Sequence, residues 1–290
     1  MQTKNNTTDL KINDQWNQLV SSNFAKVKSS LLLIPMFLLL ATFLFLYSQN
    51  ALSTDKYIEI QKDCFFFLNA KLSQFPQLAY NLIQFGDAII FLSLLSIFIL
   101  YVPKLWEALL SASLISALFS NILKSFFAIP RPAAIFDHSS FVIIGKVLAG
   151  HNSLPSGHSI TAFTIITVLM YGFMPKKLNN RILWVYGMML LALLLAFTRV
   201  AVGAHYPLDV IIGGIIGYIS GLLGIFIGRK YNIWSWISNR KFYPVFMVVF
   251  LVAGILIINR ITKENLLIYY FSLICLLFSL YKIITIYVKK

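Results

Sequence analysis

The chain has 290 residues, of which 59% are hydrophobic and 15% aromatic, and its mean hydropathy is +0.79. A soluble domain is about 45–50% apolar, so this composition excludes a soluble globular enzyme and points to a polytopic membrane protein. The net charge of +14 is no nucleic-acid signature in that setting, because basic residues of membrane proteins gather at cytoplasmic span ends and near anionic head groups, and the interleaved aromatics read as interfacial belts.

Residues 1–28 are polar and carry Lys4, Lys11, Lys26 and Lys28. They lack the apolar region and small-residue cleavage site of a signal peptide, so the first apolar run, about Leu31–Leu46, reads as a retained signal anchor. Asn6-Thr7-Thr8 matches a glycosylation sequon, a match too short to weigh. The connector 49–77 mixes Asp55, Lys56, Glu59, Lys62, Asp63 and Lys71 with Phe65-Phe66-Phe67-Leu68, which predicts helix along the membrane surface. Further spans are expected at about Leu78–Val102, Leu105–Leu123, Ser159–Met174, Ile182–Arg199, Tyr206–Gly228, Phe242–Asn259 and Leu266–Tyr281. Several are near the lower limit for a spanning helix, roughly 17–25 residues. Cys64 lies in a loop and Cys275 inside a span, so no disulfide is expected, and neither has metal-ligand spacing.

Eight spans place both termini on one side. Of the 24 Lys and Arg, fifteen fall on that side and nine on the other, so the positive-inside rule makes both termini cytoplasmic. The expected fold is all-α, a polytopic membrane helical bundle. It divides into a cytoplasmic segment 1–28, a six-helix core 29–228 and two extra C-terminal spans in 229–290.

Three polar clusters interrupt this apolar chain. Lys124 to Pro132 closes the third span and holds Lys124 and Arg131. Pro155-Ser156-Gly157-His158 opens the fourth. Thr198 to Asp209 joins the fifth to the sixth and holds Arg199, His205 and Asp209. In an alternating topology all three share the non-cytoplasmic face. Pro207 suits the first turn of the sixth span. Asp209 then sits one helical turn after His205 on the same face. A carboxylate there fixes the imidazole tautomer and leaves the other ring nitrogen as a nucleophile or base. Lys124, Arg131 and Arg199 can surround a dianion. Ser156 suits an N-cap, and a helix N-terminus at Gly157 presents free N–H groups to an anion. His158 can protonate a leaving oxygen. Taken singly, each element also reads as a snorkelling span end, a plain helix start or an interfacial histidine. Asp87 and Glu107 read as interfacial or packing residues, and His138 and His151 as loop residues. What the structural readings leave unexplained is the conjunction of three clusters on one face, all made of anion-binding or proton-transfer groups.

The pattern Lys-x6-Arg-Pro, Pro-Ser-Gly-His, Arg-x5-His-x3-Asp resembles the signature of the type 2 phosphatidic acid phosphatase family, which the vanadium haloperoxidases share. The resemblance covers about residues 55–228, including Asn69 and Gly86-Asp87. One position departs: Thr198 stands where the family usually has Ser, and it keeps the hydroxyl. The resemblance implies that His205 attacks phosphorus to form a phosphohistidine, that Asp209 orients it, and that His158 protonates the leaving group. It also implies that Lys124, Arg131, Ser156, Gly157 and Arg199 hold the phosphate. No metal or other cofactor is implied, and the partner is a membrane lipid phosphate, with no nucleic acid. Family substrates include phosphatidate, phosphatidylglycerol phosphate, undecaprenyl pyrophosphate and lipid A phosphates. An outward-facing site in a bacterial inner membrane would suit them all. A lipid-to-lipid phosphotransferase would use the same residues. An anion transporter would need charges near the midplane, and here they sit at span ends. A binding-only pseudoenzyme would be expected to lack His205 or Asp209.

Overall fold

The computed structural model describes residues 15–288. The sequon-like Asn6-Thr7-Thr8 and residues 1–14 of the polar N-terminal stretch lie outside the described residues. A helical segment 15–25 comes first. Then follow α1 (Leu33–Ser48), α2 (Thr54–Glu59), α3 (Lys62–Leu72), α4 (Pro76–Leu82), α5 (Ala88–Leu94), α6 (Phe98–Tyr101), α7 (Pro103–Phe127), α8 (Pro132–Ile135), α9 (Gly157–Gly172), α10 (Leu178–Ala201), α11 (Pro207–Tyr231), α12 (Tyr243–Glu264) and α13 (Leu267–Val288). There is no strand among the described residues. Among the described residues, six helices are long and apolar enough to cross a membrane: those of α1, α7, α10, α11, α12 and α13. The apolar α9 has 16 residues, about 24 Å at 1.5 Å per residue.

The expectation of one continuous span over 78–102 is corrected. That stretch is broken into α4, a 3-10 turn (Ile83–Gly86), α5 and α6. The break has a local cause. The Asp87 carboxylate accepts the N–H groups of Ile89 and Ile90 at 2.9 and 3.4 Å, so it caps a new helix rather than continuing the old one. At the far end Val102 precedes Pro103, which disfavours the helical region for Val102. Its φ and ψ are −141° and 63°, and Pro103 opens α7. The connector 49–77 is helical as expected, in α2 and α3, and α3 packs against α10.

The core is α11 packed between α9, α7 and α10. Glycines on α11 permit it. A Cβ at Gly213 would lie 2.7 Å from the Ser156 carbonyl, one at Gly217 would fall on the Ile160 carbonyl, and one at Gly221 would meet Thr167 Cβ at 2.6 Å. This one-every-four stripe lets two backbones approach, as small residues do between membrane helices, and Thr164 Oγ1 donates to the Gly217 carbonyl at 3.1 Å across the seam. At one end of the bundle the segment 15–25 ties helix ends together. Asn23 Nδ2 donates to the Gly172 carbonyl at 2.9 Å, and Arg229 Nη1 to the Phe24 carbonyl at 3.1 Å. The three polar clusters gather at the opposite end.

Helices α12 and α13 form a hairpin whose apolar core is shared with α5, α6 and α7 through Ile90, Ile99 and Trp106. Ser96 and Ser279 hydroxyls meet at 2.7 Å. At the motif end Arg260 Nη1 pairs with Asp87 Oδ2 at 2.9 Å, and Ile268 N–H donates to Asn81 Oδ1 at 3.1 Å. Cys64 and Cys275 are both free.

Candidate active site

Pro207 opens α11, so the residues before it are fixed by that helix's first turn. The Asp209 carboxylate turns back to accept the Tyr206 N–H at 3.0 Å. His205 and Asp209 are 1% and 0% exposed, with Nδ1 and Oδ2 3.5 Å apart. Arg131 Nη1 stands 3.3 Å from His205 Nε2. A guanidinium only donates, so Nε2 is the unprotonated nitrogen and the proton belongs on Nδ1, toward Asp209. Burial, then the charges of Arg131, Arg199 and Lys124, hold the imidazole well below its ordinary pKa of 6.5. It is a neutral base with its lone pair facing cations.

The cations come from three directions. Lys124 is in the last turn of α7, which ends at Ala128 in the left-handed region (φ 46°). Its Nζ overhangs the start of α9, where a Cβ on Gly157 would lie 3.2 Å away. Arg131 is buried and anchored by Asn152, whose Oδ1 accepts from Nε at 2.7 Å. Arg199, 5% exposed, ends α10 and lines a cavity of about 260 Å³ together with His158. Its Nε is buried with no hydrogen-bond partner among the described residues. An orphaned buried donor calls for an explanation.

Ser156 is fully buried, and its Oγ accepts from Ser159 N–H at 3.4 Å and Ser159 Oγ at 2.8 Å, capping α9 as its type predicts. Its backbone N–H donates to the Asp209 carbonyl at 3.0 Å, which joins the second cluster to the third. Thr198 turns its hydroxyl back onto the Leu195 carbonyl of its own helix, so the departure from Ser at this position leaves the cavity unchanged. His138 bonds the Ala133 carbonyl, and His151 is exposed in the loop.

Sequence reasoning missed several residues. Ser153 Oγ donates to Asp209 Oδ2 at 2.6 Å and lies 3.4 Å from His205 Nδ1. Tyr57 OH donates to Asp209 Oδ1 at 2.7 Å. Burial first and the Asp209 charge second push the Tyr57 phenol well above 10.0, so it stays a donor. Asn69 clamps the end of α10 to the loop, donating to the carbonyls of Val200 at 3.0 Å and Val142 at 2.9 Å and accepting from Val142 N–H at 2.8 Å. Asn152 and Ser153 directly precede the second cluster, which is a usable signal. Nothing local marks Tyr57.

Residues 105–234 match the model of the PAP2 superfamily. This part of the chain belongs to the PAP2 superfamily. All eight site residues expected from the sequence fall inside the PAP2 match, whereas α1–α6 and the C-terminal hairpin fall outside it. Among curated proteins the chain is 32% identical over 134 residues to a Lipid A 1-phosphatase of Rhizobium etli, covering 45% of this chain and 53% of that one. A Lipid A 1-phosphatase of Rhizobium johnstonii is 32% identical over 127 residues, 43% of this chain and 48% of that one. The Bacitracin transport permease protein BcrC of Bacillus licheniformis is 27% identical over 119 residues, 41% of this chain and 53% of that one. The chain thus spans about half the length of the curated relatives it matches. The crystal structure of Aquifex aeolicus LpxE is 28% identical, with 58% of this chain and 95% of that one covered at a TM-score of 0.46.

Proposed function

We propose that this chain is an integral-membrane lipid phosphatase that works through a phosphohistidine on His205. The observation that carries the reading is the placement of His205 Nε2 3.3 Å from Arg131 Nη1, close to Arg199, which lines a cavity together with His158 and whose Nε is buried without a partner among the described residues. The PAP2 match and the phosphatase names of two relatives support it.

In this mechanism a lipid phosphate enters the cavity with its charged oxygens on Lys124, Arg131, Arg199 and the Gly157 N–H. Nε2 attacks phosphorus, and the bond from phosphorus to the lipid oxygen breaks. His158 delivers a proton to that oxygen, then takes one from the water that cleaves the phosphorus–nitrogen bond. Asp209, held by Tyr57 and Ser153, stabilises the imidazole as it becomes positive. The cations stabilise charge spread over the equatorial oxygens, the usual source of rate in phosphoryl transfer. No step requires a metal. The site faces away from the cytoplasm, both termini lie inside, and the hairpin in 229–290 is an addition to a core of 29–228.

The test is phosphate release by detergent-purified full-length protein, with chelator present, from phosphatidate, phosphatidylglycerol phosphate, undecaprenyl pyrophosphate and lipid A. Release that persists in chelator and disappears in His205→Ala is expected. Equal release by His205→Ala would overturn the mechanism. Phosphate moved to an added acceptor lipid, with none released to water, would make the protein a phosphotransferase.

A further inference from the structure

The cavity beside His158 and Arg199 is completed by residues outside the PAP2 match. Lys263, Arg260 and Glu264 line it from the outer turn of the α12–α13 hairpin. Lys146, which lies inside the match, also lines it from the loop before α9. The hairpin turn is fixed in place rather than loosely apposed. Arg260 pairs with Asp87, Ile268 N–H bonds Asn81, and Glu264 Oε2 accepts from Tyr269 OH at 2.9 Å. Asp87 and Asn81 belong to the broken segment that underlies His158, so the hairpin is tied to the wall of the catalytic cavity.

The charges of this outer wall do not balance. Arg260 is answered by Asp87, and Glu264 is the single acid lining the cavity. Lys146 and Lys263 are exposed and make no ion pair among the described residues. The inner cations Lys124, Arg131 and Arg199 already match the dianion of one phosphoryl group. A substrate with one phosphate leaves the outer lysines unanswered, whereas a second phosphate on the same head group would meet them. Lysine is suited to this as a mobile point charge on a long stem.

We infer that the C-terminal hairpin supplies Lys263 to an outer anion subsite, formed with Lys146 of the same cavity, that holds a second phosphate of the substrate's head group. This inference rests on the lipid-phosphatase reading above. It selects lipids with two phosphates, joined as a diphosphate or borne separately, over lipid monophosphates.

The test compares full-length wild type with Lys146→Ala/Lys263→Ala and Lys263→Glu, with thermal melting to confirm folding. The turnover arms are phosphatidate, a prenyl diphosphate and a glycolipid bearing two separate phosphates. The expected result is that kcat/KM for a two-phosphate lipid, relative to phosphatidate, falls about tenfold in the double alanine variant and further in Lys263→Glu, mainly through KM. The arm that falls identifies how the two phosphates are joined. An unchanged ratio in both two-phosphate arms overturns the subsite. A binding arm separates this from the fate of the mechanism. A non-hydrolysable lipid bisphosphonate should bind wild type and His205→Ala at least tenfold tighter than the matching monophosphonate, and the double alanine variant should lose that preference. Loss of the preference with catalysis absent fails the mechanism and leaves the subsite standing. Equal binding of the two phosphonates fails the subsite whatever the turnover.

Discussion

Replacing Gly86 with Ala should disable the site without touching any group that meets phosphate. A Cβ at Gly86 would fall on His158 Cβ and within 2.6 Å of Cδ2 and 2.7 Å of Cγ. Carbon atoms rest at about 3.5–4.0 Å, so the imidazole or its backbone must retreat by roughly 1 Å. The backbone is poorly placed to move, because the cap of α9 is tied to α11 by the bond from Ser156 N–H to the Asp209 carbonyl. Turning the ring relieves the contacts to Cδ2 and Cγ but not the one to Cβ, so the ring is displaced together with its backbone attachment. A misplacement of about 1 Å can cost on the order of 10²-fold in rate, while overpacking costs about 1–3 kcal/mol of stability. The rate loss should dominate in a protein that still folds. The assay is kcat for lipid phosphate release beside a thermal melt. Gly187→Ala in α10 is the control, since a Cβ there meets nothing within 4 Å, and it should keep full rate and gain about 0.5–1 kcal/mol. A Gly86→Ala protein with kcat within twofold of wild type would refute the placement of His158 against the broken segment.

Asp209→Asn should keep the fold but lose about 10³–10⁴ in kcat, as when a carboxylate that fixes a catalytic imidazole is neutralised; single-turnover phosphate release would read it. Tyr57→Phe removes one of the donors to Asp209 and should cost about 1–3 kcal/mol of stability, seen as a lowered melting midpoint, with a smaller loss of rate. His205 stays neutral in the folded protein at pH values where the unfolded chain, at 6.5, takes up a proton. The unfolded state therefore binds more protons below pH 6.5, and stability is lost as pH falls from there. Melting midpoints from pH 7.5 to 5 should fall less steeply in His205→Gln than in wild type. Gly217→Leu should abolish assembly of the bundle, because the side chain meets the Ile160 carbonyl; the readout is monodisperse protein in detergent.

The sequence made the long spans legible because each is a run of apolar residues closed by charge, and α1, α7 and α9–α11 fall within a few residues of the expected limits, while α12 and α13 begin where expected and run further at their C-terminal ends. The break within 78–102 was not, since an average over apolar residues hides a single Asp87 whose carboxylate restarts a helix. The three clusters could be read because they are local and their order sets their face. Tyr57 could not, because its bond to Asp209 joins residues 152 apart in sequence, and the tie between Asp87 and Arg260 spans 173. The glycine stripe of α11 was visible as letters, but only the close carbonyls of α9 give it meaning.

That stripe has a consequence for how the protein meets its solvent. Because α9 and α11 touch backbone to backbone, the spacing of His158 and His205 rests on covalent geometry instead of pliable side chains. Most residues of α9 are buried, so it has little surface on which lipid can push. Changes in bilayer thickness, which act on lipid-facing helices by tilting them, fall on α1, α10, α12 and α13. The pairing of His158 with His205 is thereby insulated from membrane elasticity, while Arg199 at the end of α10 and the hairpin wall of the cavity are the parts that a thicker or thinner bilayer can tune.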